Sequence, residues 1–275
     1  MYLLVKGING FGNMISVLNC AYCLAKKTKR TLVIDWTHSE WVHGFDKYFI
    51  IKNIKYKSYD EFIKEVINKH NLEIYPKIFQ NRLTEKITDI YPEIDKQNNY
   101  NELFDNCIKF AEKKRYDIIV FSYNWLGYNG IKMLWDNLEL KEEYKNELTE
   151  KINKLGIYKA IHIRHTDIIN MKLDWVIDFI NNNKDINIYV ATDNEDLLEQ
   201  IRNIHPNIFN YTTFYEKNKP LHTSIRSLEE KERINKDTII DMYILSKAQE
   251  LKITPIKTQP FMTTFSLLAM AIRNN

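Results

Sequence analysis

The 275-residue chain is poor in the residues that punctuate loops, with seven glycines and six prolines. That scarcity argues against a turn-rich β-sandwich and for long helices and strands. Cysteine is also rare. Cys20, Cys23 and Cys107 fit neither a disulfide framework nor a four-ligand zinc spacing. Cys20-x-x-Cys23 has the spacing of a redox pair, but it lies inside an apolar helical pattern and reads as packing. No run approaches the ~18 apolar residues of a membrane span. The opening segment, Met1 to Gly7, lacks a basic leader followed by a long apolar stretch, so no signal peptide is expected and a reducing, cytoplasmic setting follows. Charge of one sign is missing too. Lysine plus arginine total 39 and aspartate plus glutamate 36, a net of +3. Such a chain has no broad field to hold nucleic acid, and any anion site must be local.

Apolar residues make up 44% of the chain, enough for a substantial core. Residues 2–5 read as a strand, Gly7-Ile8-Asn9-Gly10-Phe11-Gly12-Asn13 as a glycine turn, and residues 14–27 as a helix. The helix follows from apolar positions 14, 15, 17, 18, 21, 22, 24 and 25. Thr31 to Asp35 closes a βαβ unit, whose first turn can offer backbone N–H groups and a helix N-terminus to an anion. Three readings of that turn stay open. A dinucleotide fingerprint needs G-x-G-x-x-G, whereas the order here is G-x-x-G-x-G, although Asp35 stands where a ribose-binding acid would. A phosphate-cradling loop ending in Gly-Lys-Ser/Thr is absent. The third reading is a tight turn that lets helix and strand pack closely.

The segment Trp36-Thr37-His38-Ser39-Glu40-Trp41-Val42-His43-Gly44-Phe45 carries aromatics and histidines after a strand. It suits either a stacking surface for a polar ring or a loop tucked under the sheet by its tryptophans. Helices are expected over 58–69 and 101–114, a strand over 117–122, and an irregular excursion over 71–99. A second aromatic and amide-rich loop covers 123–129. A charged amphipathic helix over 139–155 ends at Gly156, a good C-cap and a natural hinge.

From Tyr158 onward strands and helices alternate: strand 158–163, helix 174–182, strand 186–191, helix 194–203, strand 208–213, helix 238–250, strand 251–254 and helix 263–272. Residues 217–236 read as a charged, irregular insertion in which 228–233 form at most a turn of helix. Alternation of this kind predicts mostly parallel, doubly wound sheets. The fold class is therefore α/β, with two Rossmann-like domains facing a cleft and divided into residues 1–156 and 157–275.

The strongest local signal is Ala160-Ile161-His162-Ile163-Arg164-His165-Thr166-Asp167. A strand runs into two imidazoles, a guanidinium and a carboxylate, at the end of the strand where ligands bind in open α/β sheets. Arginine presents a rigid donor fork that suits phosphate. Histidine and aspartate can read a base edge or move a proton at neutral pH. By itself the segment fits equally a polar strand end with a surface ion pair. The chain also has no Asp-x-Asp pair, through which many metal-dependent sugar transferases hold their cation. A departing phosphate would then need protein cations, and Arg164 is the best placed.

Five blocks in order resemble the inverting fucosyltransferases. They are Gly10-Phe11-Gly12-Asn13 through Arg30-Thr31-Leu32-Val33-Ile34-Asp35-Trp36, then His162-Ile163-Arg164-His165-Thr166-Asp167, and Ala191-Thr192-Asp193-Asn194 with Leu197-Leu198. The last two are Ile239 to Ala248 around Asp241, and Thr263-Thr264-Phe265-Ser266-Leu267-Leu268-Ala269. The α-1,6 branch, with the rhizobial Nod-factor and N-glycan core enzymes, is the nearer kin, and the α-1,2 group is more distant. The resemblance implies a GT-B type glycosyltransferase with an acceptor-side first domain and a donor-binding second domain. It also implies GDP-fucose as donor, a glycan or oligosaccharide acceptor, no cofactor and no metal.

Carried over residue by residue, His162 and Asp241 would recognise guanine and Arg164 would bind the β-phosphate. Thr264 and Ser266 would bind phosphate oxygens at a helix N-terminus. Gly10, Gly12, Asn13, His165 and Asp193 complete the donor set, with His38, Glu40 and His43 on the acceptor side. The family's presumed base, a glutamate five residues past the signature aspartate, is Lys172 here. Asp167 or Asp174 would take that role, with Glu40 and His43 as weaker candidates. His165 stands for a second arginine, and residues 255–260 look like an insertion. Another GDP-sugar, a degenerate glycan- or nucleotide-binding protein and a nicotinamide oxidoreductase are the alternatives.

Overall fold

The computed structural model describes residues 1–69, 71–90, 100–122, 130–164, 173–215, 227–254 and 264–273. The chain forms two compact units, Met1–Lys141 and Glu142–Asn275.

Unit 1 is built on a five-stranded parallel sheet. Its strands are β1 (Tyr2–Lys6), β2 (Thr31–Asp35), β4 (Tyr56–Lys57), β5 (Ile74–Tyr75) and β6 (Ile118–Phe121), in the order β4-β2-β1-β6-β5. Leu3, Leu4 and Val5 of β1 are fully buried, the continuous apolar run expected of a central parallel strand covered on both faces. Helix α1 (Phe11–Thr28) packs on β1 and β2. The expected apolar face is buried throughout, and the helix ends at Lys29 in the left-handed region, φ 59°. It starts three residues earlier than the periodicity indicates, because Phe11 and Gly12 are themselves buried in its first turn. Helix α2 (Tyr59–Val66) starts at a capping box in which the Ser58 side chain and Glu61 satisfy each other's backbone N–H groups. Helix α3 (Tyr100–Glu112) packs on β6.

The stretch expected to be an irregular excursion has a structural job within its described part, 71–90. It contributes β5 and the buried side chains Ile74, Phe79, Ile87 and Ile90, which pack with Leu4, Val33, Tyr59, Phe62, Val66, Ile118 and Val120. Two short strands, β3 (Phe49–Ile51) and β7 (Leu138–Leu140), pair antiparallel as a separate ribbon. Helix α4 (Ile131–Trp135) precedes β7. Residues 139–140, read from sequence as the start of a long helix, are extended because Leu138 and Leu140 alternate inward across the exposed Glu139. The loop expected at 123–129 lies outside the described residues.

Unit 2 carries a four-stranded parallel sheet of β8 (Tyr158–Ile163), β9 (Asn187–Thr192), β10 (Ile208–Phe209) and β11 (Leu251–Ile253), in the order β10-β9-β8-β11. Register assigns its faces. Ala160 pairs with Tyr189 and His162 with Ala191, so these four side chains point one way. Ile161, Ile163, Ile188 and Val190 point the other way. There they pack against Val176, Phe179 and Ile180 of α6 (Asp174–Asn181) and Leu197, Leu198 and Ile201 of α7 (Glu195–Ile204). Helix α8 (Leu228–Lys247) lies against β8 and β9, and α9 (Thr264–Arg273) against α8.

Helix α8 corrects the sequence reading. The supposed insertion is partly its first two and a half turns, opened by a Ser227–Glu230 capping box. Its early residues are mostly charged, so hydrophobic periodicity did not reveal them. Helix α5 (Glu142–Leu155) packs on α8 and so groups with unit 2. The division between units therefore falls after Lys141 and not at Gly156. Gly156 does end the helix in the left-handed region, φ 61°.

Candidate functional site

The carboxyl edge of the unit 2 sheet gathers the chemistry. His162 is the penultimate residue of β8 and, by register, faces the side covered by α8 and α9. Its Nδ1 lies 2.6 Å from Ser266 Oγ, and the Phe265 ring is 5.1 Å from the imidazole. Burial pushes the His162 pKa down to about 4; Asp193 nearby works against this and Arg164 with it. The imidazole is therefore neutral at pH 7 and acts as a hydrogen-bonding edge, not a cation.

Arg164 is the first residue past β8, and its backbone is pinned. Its N–H donates to Thr254 Oγ1 at 3.3 Å, while the Thr254 N–H donates to His162 O at 3.1 Å. Thr254 thus ties the end of β11 to the exit of β8, a role the sequence did not disclose. Its only local sign is its place immediately after a strand.

Asp193 and Asn194 follow β9. Asn194 caps α7, its side chain accepting from Leu197 N at 2.8 Å, which accounts for that residue structurally. Asp193 is half-buried and close enough to act electrostatically on His162. Thr264 and Ser266 occupy the first turn of α9, where N–H groups and the helix dipole favour an anion. His162, Arg164, Asp193 and the Thr264–Ser266 turn are thus brought together.

Asp241 lies on the same face but has its own surroundings. Tyr189 Oη donates to its Oδ1, and Thr212 Oγ1 donates to its Oδ2 at 2.8 Å. Burial raises its pKa to about 7; the two hydroxyl donors oppose the rise, and Asp237 one turn earlier adds to it. Asp237 accepts from Thr213 N at 2.9 Å, and its own pKa is raised by burial. Sequence reasoning missed Asp237, Tyr189 and Thr212. The i, i+4 spacing of the two aspartates on one helix face was the available signal. Asp174 is exposed in the first turn of α6, a position a carboxylate takes for the helix dipole alone. Asp167 and His165, together with Lys172, lie outside the described residues.

The remaining expected residues belong to unit 1. Gly10 is the extended N-cap of α1, with open space where a Cβ would stand, and Gly12 and Asn13 follow in the first turn. Gly7 is the crowded glycine: a Cβ there would lie 3.0 Å from Met14 Cε and 3.0 Å from Trp36 Cδ1. This supports the tight-turn reading of the motif.

Trp36 and Trp41 are buried, at 0% and 5% exposure, among Phe11, Phe45, Tyr48 and Phe49. The loop is thus tucked under by its tryptophans, and they offer no stacking surface. Glu40 Oε2 accepts from Asn9 N at 3.0 Å, linking this loop to the glycine turn. His43 stands edge-on to Tyr48, 6.5 Å between ring centres.

Beneath that loop the last residues of β1 and β2 form an ion pair. Lys6 Nζ lies 2.6 Å from Asp35 Oδ2, both side chains wholly buried, and also donates to Leu83 O at 2.8 Å. His38 Nδ1 is 3.0 and 3.1 Å from the two Asp35 oxygens. Burial alone would raise the Asp35 pKa; the His38 hydrogen bond and then Lys6 more than offset it and hold the carboxyl below its usual range.

The cysteines are free. Cys20 and Cys107 are pushed up to about 12, chiefly by burial, so both are poor thiolate formers. Among the described residues no group of three or more His, Cys, Asp or Glu side chains could hold a metal ion, and no helix is long and apolar enough to cross a membrane.

Two α/β units, each built on a parallel sheet, correspond to a GT-B type fold. Solved structures with this fold are similar over nearly the whole chain. NodZ alpha-1,6-fucosyltransferase soaked with GDP-fucose is 21% identical, with 98% of this chain and 92% of that one covered and a TM-score of 0.67. Fucosyltransferase NodZ from Bradyrhizobium is 20% identical over 98% and 91%, TM-score 0.66. POFUT1 in complex with GDP-fucose is 12% identical over 99% and 94%, TM-score 0.61. At these identities the likeness is one of fold. No family model matches the sequence, and no curated protein matches it.

Proposed function

We propose that the protein is a glycosyltransferase that moves fucose from GDP-fucose to a glycan hydroxyl, with inversion and without a metal. Unit 2 is the donor-binding unit in this reading and unit 1 the acceptor side. The observation that carries it is the neutral His162, fixed by Ser266 at the carboxyl edge of a parallel sheet beside Arg164. A neutral imidazole can read a base edge without attracting a second phosphate. The Arg164 guanidinium and the N–H groups opening α9 would then neutralise the charge that builds on the diphosphate as the glycosidic bond breaks. A buried carboxyl at Asp241 would complete guanine recognition from α8.

Calorimetric titration with GDP and GDP-fucose tests the donor. Binding in the micromolar range is expected, and silence toward both would overturn the assignment. Arg164→Ala should weaken GDP binding by roughly 10- to 100-fold, the worth of a charge-assisted hydrogen bond, and abolish transfer with the fold intact. The groups named here face the nucleotide and diphosphate, so the same set would serve another GDP-sugar. A donor panel with GDP release as readout separates these, and binding without turnover across glycan acceptors would mark a degenerate, binding-only protein.

A further inference from the structure

We propose that Tyr189 and Thr212 are positioning residues that aim the Asp241 carboxylate at two adjacent N–H donors and so set the preference of the donor site for guanine. This rests on the transferase reading above, and every group involved belongs to unit 2. Register turns Tyr189 to the same face of the sheet as His162, and α8 brings Asp241 to that face. Tyr189 Oη donates to Asp241 Oδ1, and Thr212 Oγ1 donates to Oδ2 at 2.8 Å. With one hydroxyl on each oxygen, rotation of the carboxyl is stopped and each oxygen keeps a lone pair.

Both hydroxyls are themselves fixed. Tyr189 is fully buried against the Tyr211 ring, 5.6 Å between centres. Burial and the nearby Asp241 raise its pKa well above the usual tyrosine value, so Oη stays a donor. Asn210 closes the loop after β10. Its Nδ2 donates to Val190 O at 2.8 Å and to Thr212 Oγ1 at 3.3 Å, and its Oδ1 accepts from Thr212 N at 3.0 Å. With its oxygen accepting from Asn210, the Thr212 hydroxyl sends its own proton to Asp241.

Fastening that loop to α8 does not need Asp241. Asp237, one turn earlier, already accepts from Thr213 N at 2.9 Å. Asp241 is 7% exposed, and among the described residues no cation hydrogen-bonds to it. Its charge is left undercompensated, which is why burial raises its pKa to about 7. Two further N–H donors would complete it. Guanine presents such a pair on one edge, N1–H and the 2-amino group. Hypoxanthine offers only N1–H there, and adenine turns an N1 lone pair toward the carboxylate. The titratable groups facing Asp241 are Tyr189 from β9, Asp237 on α8 itself and Lys151 from α5.

Calorimetry on the full chain compares GDP with inosine diphosphate at pH 8, where the two diphosphates carry the same charge. The wild type should prefer GDP by about 10-fold or more, the worth of one charge-assisted hydrogen bond. Thr212→Val and Tyr189→Phe should each cut that preference to about 3-fold or less, and Thr212→Ser should restore it. A second readout follows the ionisation that the two hydroxyls favour. GDP-fucose does not titrate near pH 7 and its N–H pair needs the carboxylate, so wild-type affinity should fall about tenfold from pH 8 to pH 6. Losing either hydroxyl raises the Asp241 pKa further, so the midpoint of that fall should move up. A merely structural role would weaken both nucleotides alike and leave the midpoint in place. Equal wild-type affinity for GDP and inosine diphosphate would overturn the proposal, as would a hydroxyl-free variant that keeps the wild-type preference or midpoint. The transferase reading survives either result, whereas failure of the wild type to bind GDP-fucose overturns both.

Discussion

His162 and Asp241 titrate in opposite senses on folding, and their opposition can be read out. His162 falls from the ordinary 6.5 to about 4 when buried. Below pH 6.5 the unfolded chain binds a proton there that the folded chain refuses, so stability is complete above 6.5 and lost as the pH falls toward 4. The gap of about 2.5 pH units corresponds to about 3 kcal/mol. Asp241 rises from 3.8 to about 7. Its folded form keeps a proton that the unfolded chain gives up, so stability is complete below 3.8 and lost as the pH rises through 7, about 4 kcal/mol in all. Between about pH 4 and 6.5 each contributes a slope near 1.4 kcal/mol per pH unit, of opposite sign, and the two largely cancel. Asp241→Asn removes one of them; its amide oxygen can still accept from one of the two hydroxyls of Tyr189 and Thr212, and its NH2 group can donate to the other. Its stability relative to wild type should therefore rise with pH across that window by about 1.4 kcal/mol per unit, and His162→Gln should show the reverse. Urea unfolding at a series of pH values, with unit 2 followed through amide protection in β8 and β9, measures both. Parallel wild-type and Asp241→Asn curves would refute the reasoning.

In unit 1, Lys6→Met leaves the Asp35 carboxylate buried without its cation and should cost about 3–5 kcal/mol. Chemical denaturation checks this, and adding Asp35→Leu should recover most of the loss. Gly7→Ala should destabilise by about 1–3 kcal/mol through its clash with Met14 and Trp36. Gly10→Ala, with open space at its Cβ, should cost less than about 1 kcal/mol in the same thermal melts.

The sequence by itself determined the elements whose pattern is local. The apolar run of β1, the buried face of α1 and the regular alternation from β8 to α7 were legible because hydrogen-bonded periodicity repeats within a few residues. So was the placement of His162 and Arg164 at a strand end. Strands of two residues such as β4 and β5 are too short to show a period, whereas the strand expected over 208–213 is present only as its first two residues, β10. They exist only because a longer neighbour supplies the ladder. Helix α8 lost its first turns to charge, although Ser227 and Glu230 spelled out its cap.

Tertiary structure alone decided the chemistry of the site. Lys6 meets Asp35 across 29 residues, Tyr189 meets Asp241 across 52, and His162 meets Ser266 across 104. The neutrality of His162 and the raised pKa of Asp241 both depend on desolvation and on partners from other strands and helices. A side chain's charge is set by what surrounds it in space, and adjacent sequence says little about that. Trp36 and Trp41 make the same point: their spacing allowed a stacking surface or a buried loop, and the cluster with Phe11, Phe45 and Phe49 chose burial.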